Sequence, residues 1–104
     1  MKTAVVTALV APVIFCSLAL SLDTSVDHGR EVYALQKCAL CHSIGGIGGK
    51  KLALDGVGSR LKPEEVRKWI KTPKEVKPDT TMKPYPNLPA ADLNDLTAFL
   101  MTLR

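Results

Sequence analysis

Residues 38–42 read Cys38-Ala39-Leu40-Cys41-His42, and this run decides how the rest of the chain is interpreted. On a helical turn, residues three apart project from the same face, with Cβ atoms roughly 5–6 Å apart. Two thiols so placed can each form a thioether bond with a vinyl group of one porphyrin, and a neutral imidazole is a good iron ligand. C-x-x-C-H is the attachment signal for haem c. We therefore predict that Cys38, Cys41 and His42 hold one covalent haem c.

Other uses of paired cysteines explain less of this run. A structural zinc site needs four ligands, and outside the run only His28 and Cys16 remain as further His or Cys candidates. A redox dithiol requires a strand and sheet context near its Cys-x-x-Cys, and the sequence contains no evident strand pattern. A plain disulfide gives the adjacent His42 no role. These alternatives stay open but are less favoured than haem attachment.

The N-terminal segment has the composition of an export signal. Met1-Lys2-Thr3 is followed from residue 4 to residue 22 by a stretch without any charged residue. A basic start, an apolar run and small residues suited to cleavage near Ser21 are typical of a secretory signal peptide. We predict a signal peptide over residues 1–21, one domain over residues 22–104 and a periplasmic location. Because about 18 apolar residues can also cross a bilayer, an uncleaved membrane anchor remains the alternative.

The charge of the remaining domain excludes one class of partner. Removal of residues 1–21 would lower the formal net charge from +4 to +3, because Lys2 is the only charged residue removed. This small excess is mixed with acidic residues, and no basic run is interleaved with aromatic residues. The sequence therefore predicts no nucleic-acid binding.

Hydrophobic periodicity predicts helices joined by long irregular segments. A first helix is expected over about residues 24–42, with Asp27 near its start as a cap. A second helix is expected to begin at Pro63 and to stop at Thr72-Pro73, and a last one to run from about Pro89 to Leu103. The apolar faces comprise Val32, Leu35 and Ala39 in the first helix, Val66, Trp69 and Ile70 in the second, and Leu93, Leu96, Phe99, Leu100 and Leu103 in the last.

The connections are unusually long for so small a domain. Gly45-Gly46 and Gly48-Gly49 predict a flexible loop, and the prolines between residues 73 and 89 forbid a regular helix over most of that stretch. Loops of this kind would count against an all-α assignment in an ordinary protein. A domain of roughly 83 residues is also near the size at which a protein-only core is marginal. We therefore expect the loops to wrap a large flat ligand.

A second iron ligand is expected from the proline-rich segment. Met82 lies in the extended run Thr80-Thr81-Met82-Lys83-Pro84-Tyr85-Pro86, whereas Met1 is in the leader and Met101 lies off the apolar face of the last helix. Methionine often fills gaps in a core, and that role stays open. The functional prediction is that Met82 reaches the haem face opposite His42. Such His/Met ligation raises the reduction potential and closes the iron to other ligands, which suits an electron carrier rather than an enzyme.

At this point the sequence resembles the small bacterial class I (monohaem) cytochromes c along essentially the whole domain. Besides the attachment run and Met82, the matching features are Gly29-x-x-x-Tyr33, Leu54-Asp55-Gly56-Val57-Gly58-Ser59-Arg60, Trp69 and Leu96-x-x-Phe99-Leu100. The resemblance implies a small all-α fold of three to five helices with long loops around one covalent haem. It implies that the first and last helices cross, with Gly29 allowing close approach and Phe99 packing near it. It also implies that Arg60 and Trp69 lie near the haem propionates, although a solvated Arg60 and a packing role for Trp69 stay open.

One position departs from the family pattern. Family members have a proline two residues before the position of Leu54, and its carbonyl accepts a hydrogen bond from the haem-ligating histidine. Here that residue is Leu52. The carbonyl survives the substitution, so we expect that His42 can still be oriented.

The expected function is the transfer of single electrons between redox proteins, with a dehydrogenase or reductase as donor and an oxidase or similar protein as acceptor. We expect the haem to be enclosed mostly by Val32, Leu35, Leu54, Trp69, Leu96 and Phe99. The lysines that could favour an acidic partner patch are Lys50, Lys51, Lys62, Lys68, Lys71, Lys74 and Lys83. Two alternatives stay open: a fixed subunit of a larger membrane oxidoreductase, and a haem enzyme or sensor with an open sixth position.

Overall fold

The computed structural model describes residues 3–11 and 17–104, with side chains described over residues 3–11 and from residue 24 onward. Residues 3–11 are exposed and form no helix or strand. Part of the predicted signal peptide, including Cys16, lies outside the described residues. Within the described part, no helix is both long enough and apolar enough to cross a membrane.

The domain is mostly helical and also contains one small sheet. Helix α1 (Ser17–Leu35) is followed by a 3₁₀ turn (Cys38–Leu40) and by strands β1 (His42–Ile44), β2 (Ile47–Gly48) and β3 (Leu52–Ala53). Four helices then follow in succession: α2 (Val57–Arg60), α3 (Pro63–Lys71), α4 (Pro73–Val76) and α5 (Ala90–Met101). The mostly helical prediction is confirmed, but the expectation of a domain without strands is wrong. Strands of two or three residues are too short to produce a readable alternation of apolar and polar residues.

The first helix begins and ends earlier than the sequence predicts. It ends at Leu35, so the two cysteines lie on the 3₁₀ turn and just after it rather than on a continuation of the helix. Asp27 is therefore within α1 and is not its cap, and its carboxylate accepts a hydrogen bond from Arg30 Nη1 at 3.1 Å. Lys37 has a positive φ of 58° and marks the change of direction between the helix and the turn.

The core forms where α1 crosses α5, as the family resemblance implies. A Cβ atom placed on Gly29 would overlap the carbonyl oxygen of Asp95 and would lie 2.8 Å from Phe99 Cβ, so only glycine permits this approach. The Tyr33 and Phe99 rings meet edge to face with centroids 5.7 Å apart. The buried apolar residues are Val32, Tyr33, Leu54, Val57, Val66, Ile70, Leu93, Leu96, Phe99 and Leu100. The predicted apolar face of the last helix is thus confirmed, with Leu103 packed at its margin.

The glycine-rich segment folds into a hairpin rather than a flexible loop. Gly45 and Gly46 have φ values of 59° and 79°, which suit the two central residues of a hairpin turn, and they join β1 to β2. Strand β1 lies in the middle of the sheet, with β2 antiparallel on one side and β3 parallel on the other. The parallel pairing sets His42 beside Leu52.

Helix α3 matches its predicted bounds. Pro63 occupies the first helical position, and the Glu65 side chain accepts a hydrogen bond from the Lys62 backbone N–H at 2.9 Å, which satisfies one unpaired donor of the helix start. After the single turn of α4, the chain from residue 77 to residue 89 forms no helix or strand, as its prolines predict. This segment carries Met82.

Candidate haem-binding site

A cavity of about 580 Å³ lies between the helices and the long connections. Its volume is within the range of cofactor sites, about 300–1,000 Å³. The predicted site residues Cys38, Cys41, His42 and Met82 all line it, and so do Arg60 and Trp69. Its other lining residues are Tyr33, Gln36, Lys37, Lys51, Leu52, Leu54, Val57, Leu61, Val66, Ile70, Lys77, Thr80, Thr81, Lys83, Tyr85, Leu88, Leu96 and Leu100.

His42 is held by the residue that departs from the family pattern. Its Nδ1 lies 3.1 Å from the carbonyl oxygen of Leu52, so the hydrogen bond expected at this position is present without proline. A carbonyl can only accept, and Nδ1 must therefore carry the proton in this contact. The other ring nitrogen, Nε2, then has its lone pair free to bind a metal. This is the usual way in which a backbone carbonyl orients a metal-binding histidine.

The two cysteines are free thiols on one tight turn. The backbone N–H of Cys41 donates to the carbonyl of Cys38 at 3.2 Å, and side chains three residues apart on such a turn eclipse one another. Cys38 is half-buried and Cys41 is exposed. Burial raises the pKa of the Cys38 thiol. A lowered pKa activates a catalytic redox thiol, so this environment makes Cys38 a poor nucleophile for thiol–disulfide exchange.

Met82 reaches the same cavity from the proline-rich segment, 40 positions after His42 in the sequence. Its side chain is half-buried, and its backbone N–H donates to the Thr80 hydroxyl at 3.2 Å. The structure therefore brings together all four residues that the sequence singles out as cofactor ligands.

The lining suits a large apolar ligand with an anionic edge. Among the described residues, five basic side chains and no carboxylate line the cavity. The five are Lys37, Lys51, Arg60, Lys77 and Lys83. The Arg60 guanidinium donates to the Asp55 carbonyl at 2.9 Å, which orients it at the cavity. Tyr33 adds a buried hydroxyl that has no hydrogen-bond partner among the described residues. Two thiols, an oriented imidazole, a thioether sulfur and basic groups fit haem c, which carries two carboxylates.

The predicted enclosure of the haem is partly wrong. Leu54, Trp69 and Leu96 line the cavity, whereas Val32 and Phe99 are buried in the helix crossing behind it. Leu35 is 75% exposed and Ala39 is exposed, because α1 ends at residue 35 and the chain turns away from the helix axis.

Among the lining residues that were assigned no role from the sequence, two form a contact across the cavity wall. Gln36 and Tyr85 face each other across the cavity wall, and the Tyr85 hydroxyl donates to the Gln36 carbonyl at 3.2 Å. An aromatic residue three positions after Met82, between two prolines, was the available signal. Nothing in the sequence indicates its partner, since the two residues are 49 positions apart.

Comparison with known proteins supports the same assignment. The chain is 27% identical over 92 residues to a protein named cytochrome c oxidase subunit 2 from Alkalihalophilus pseudofirmus. The alignment covers 79% of this chain but only 27% of that relative, so the chain spans about a quarter of the relative's length.

A family match extends over most of the domain. The family described as cytochrome c oxidase, cbb3-type, subunit III matches residues 24–100, a range that contains the attachment run, the sheet, α2 to α4 and nearly all of α5. Domains of this kind are c-type cytochromes, which act in haem-based electron transfer. The chain belongs to the family of the cbb3-type cytochrome c oxidase subunit III and is a c-type cytochrome.

Proposed function

We propose that the chain passes single electrons between redox proteins through one haem c, bound covalently by Cys38 and Cys41, with His42 and Met82 as axial ligands. The observation that carries the proposal is the convergence of these four side chains on one cavity. A bound haem c supplies an iron centre that takes up and releases one electron at a time.

The chain's own residues supply orientation and exclusion of water. The Leu52 carbonyl fixes the His42 ring and leaves Nε2 available to the iron. Leu54, Leu96 and Leu100 provide buried apolar walls. Apolar walls that exclude water would keep the solvent rearrangement between the two redox states small. Basic side chains at the cavity would face the haem carboxylates, with Arg60 held in place by Asp55.

The surface beside the attachment run suits an acidic redox partner. Between Glu31 and Asp55 the sequence has no acidic residue, and it contains Lys37, Lys50 and Lys51, all of which are exposed. Electron-transfer encounters use small interfaces, below about 1,200 Å² in total. Charge attraction across such an interface raises the association rate and weakens as salt rises. We therefore propose a partner with an acidic patch, and transfer whose rate falls with ionic strength.

Substitution of Met82 tests the axial ligation. The oxidised holoprotein should have the near-infrared absorption band typical of methionine sulfur bound to ferric haem iron. Met82→Ala should abolish the band, lower the reduction potential and allow imidazole to bind the iron. Met101→Ala is the matched control and should keep the band, because Met101 does not line the cavity. A band that persists in Met82→Ala would show that Met82 is not the iron ligand. Rapid imidazole binding by the wild type would favour an enzyme or sensor with an open sixth position.

A fixed oxidase subunit is the second candidate. It is favoured by the family match and by the relative, both of which carry the names of oxidase subunits. For a free carrier, we propose that residues 1–21 are an export signal that directs the protein to the periplasm. For a fixed subunit, we propose that residues 4–22 are retained as a membrane anchor. Fractionation of expressing cells separates the two. Holoprotein in the periplasmic fraction with a shortened N-terminus supports the free carrier, and recovery in the membrane with the leader intact supports the fixed subunit.

A further inference from the structure

The segment that carries Met82 makes mostly local hydrogen bonds. The Thr80 N–H donates to the Lys77 carbonyl at 3.0 Å, and the Met82 N–H donates to the Thr80 hydroxyl at 3.2 Å. Prolines cannot donate backbone hydrogen bonds, and residues 78–89 include four of them. Among the described residues, the hydrogen bonds that join residues 78–88 to elements distant in the chain both belong to Tyr85.

Tyr85 connects the two walls of the cavity. Its backbone N–H donates to the Ile70 carbonyl in α3 at 2.9 Å, and its hydroxyl donates to the Gln36 carbonyl at 3.2 Å. Gln36 continues the last turn of α1 through its bond to the Val32 carbonyl and lies two residues before Cys38. The hydroxyl therefore ties the wall that carries Met82 to the wall that carries the cysteines.

The local chemistry favours the hydrogen bond from the Tyr85 hydroxyl to the Gln36 carbonyl. The last carbonyls of a helix have no partner within the helix, and the Gln36 carbonyl just beyond α1 gains one from Tyr85. Burial raises the pKa of the Tyr85 hydroxyl above its ordinary value, so the hydroxyl keeps its proton and can donate at neutral pH. The Lys83 ammonium lies 5.4 Å from the centre of the Tyr85 ring and packs the same side chain from within the segment.

We propose that Tyr85 is a positioning residue whose hydroxyl, through the Gln36 carbonyl, keeps Met82 at the cavity. The inference rests on the proposed role of Met82 as an iron ligand. Without the hydroxyl, the segment keeps its bond to Ile70 but loses its tie to the wall that carries the cysteines. It can then open locally while the helices remain folded. Loss of one hydrogen bond of ordinary strength should raise the population with Met82 away from the cavity by roughly two- to tenfold.

The test compares Tyr85→Phe with Thr102→Val in the oxidised holoprotein. Phenylalanine keeps the ring of Tyr85 and its contact with Lys83, so only the hydroxyl bond is removed. Thr102→Val also removes one hydroxyl bond to a backbone carbonyl, the bond to Phe99 at the end of α5, but Thr102 does not line the cavity. The rate of imidazole binding to the ferric iron reports how often Met82 is displaced. The near-infrared methionine band and far-ultraviolet circular dichroism are followed together as guanidinium is raised.

Tyr85→Phe should bind imidazole roughly two to ten times faster than the wild type. It should also lose the near-infrared band at a guanidinium concentration at which the helices are still folded, whereas Thr102→Val should match the wild type in imidazole binding and in the gap between the two losses. Unchanged imidazole binding in Tyr85→Phe, equal acceleration in both variants, or loss of the band and of helicity in one shared transition would each overturn the inference. If the wild type has no band, the ligand role of Met82 fails and the inference falls with it. If the wild type has the band and Tyr85→Phe behaves like it, only the role of Tyr85 fails.

Discussion

The α1–α5 crossing and the walls of the cavity are built in different ways. At the crossing, apolar side chains from both helices bury one another, Gly29 allows backbone contact, and an edge-to-face pair of rings fills the centre. The walls consist largely of residues 36–54 and 77–88, which are rich in glycine and proline and mostly exposed. The crossing is stabilised by contacts within the protein, whereas the walls face a space of about 580 Å³. We infer from this difference that the helices form the scaffold and that the walls need an occupant of the cavity as their packing partner.

The largest effect expected from this difference follows loss of the haem. Without the haem, the apolar side chains that line the space of about 580 Å³ lose their packing partner and face water. Burial of apolar surface contributes about 25 cal/mol per Å², and a small domain has a net stability of only about 5–15 kcal/mol. The double variant Cys38→Ala, Cys41→Ala should therefore lose its cooperative thermal transition and the near-ultraviolet signal of Trp69, which lines the cavity.

Circular dichroism in the near and far ultraviolet checks this expectation. Ala39→Ser, in the same exposed turn, leaves both thiols in place and should melt like the wild type. A double variant that retains the wild-type Trp69 signal and a sharp melting transition would show that the walls fold without the ligand. The inferred difference between the helix crossing and the cavity walls would then be contradicted.

A smaller effect is expected from a substitution at the crossing itself. Gly29→Ala introduces a Cβ that overlaps the Asp95 backbone carbonyl, which cannot move without shifting α5. We expect a loss of about 2–3 kcal/mol in the free energy of unfolding, as for other overpacked cores. Guanidinium titration of the holoprotein measures it. The reverse exchange at an exposed position of the same helix, Ala34→Gly, should cost only about 0.5–1 kcal/mol. Equal losses in the two variants would mean that the close approach at Gly29 does not matter.

The smallest effect concerns an ion pair at the edge of the crossing. His28 Nδ1 lies 2.7 Å from an Asp95 carboxylate oxygen, and Nε2 lies 3.7 Å from Asp92. The hydrogen bond to Asp95 raises the pKa of His28, and the charges of Asp92, Asp95 and Glu31 act in the same direction. Because the pKa is higher in the folded state, the contribution to stability is complete below the unfolded pKa of about 6.5. It is lost as the pH rises through the folded value.

The difference in free energy of unfolding between wild type and His28→Gln should therefore favour the wild type most at acid pH and shrink above neutrality. Denaturant titrations at a series of pH values from 5 to 9 measure this difference, with about 6.5 as the reference for free histidine. A difference that stays constant with pH would contradict the role given to the His28–Asp95 bond.

Much of the scaffold could be predicted from the sequence because its signals are local. The apolar face of α5 and the start of α3 at Pro63 each depend on residues within one or two turns. The close approach at Gly29 depends on Asp95 in another helix, and only the family resemblance implied it. The four proposed cofactor ligands were also accessible, since the attachment run is contiguous and Met82 lies outside any helical pattern.

The features that the sequence did not predict depend on long-range pairing. Strand β3 exists because Leu52 pairs with His42. The Tyr85 hydroxyl donates a hydrogen bond to the carbonyl of Gln36, which lies 49 positions earlier in the sequence. The end of α1 was placed too late because the left-handed backbone of Lys37 breaks a pattern that the side chains alone would continue. Periodicity reports which face of a segment is apolar, but it does not report which segments meet.

Covalent binding of one haem through Cys38 and Cys41 can be measured by intact-mass spectrometry. The protein is purified from a host that assembles haem c and is then fully denatured. We expect the mass of the polypeptide plus one haem for the wild type, and the mass of the polypeptide alone for Cys38→Ala, Cys41→Ala. A wild-type mass without haem or with two haems, or covalent haem that persists in the double variant, would contradict this expectation.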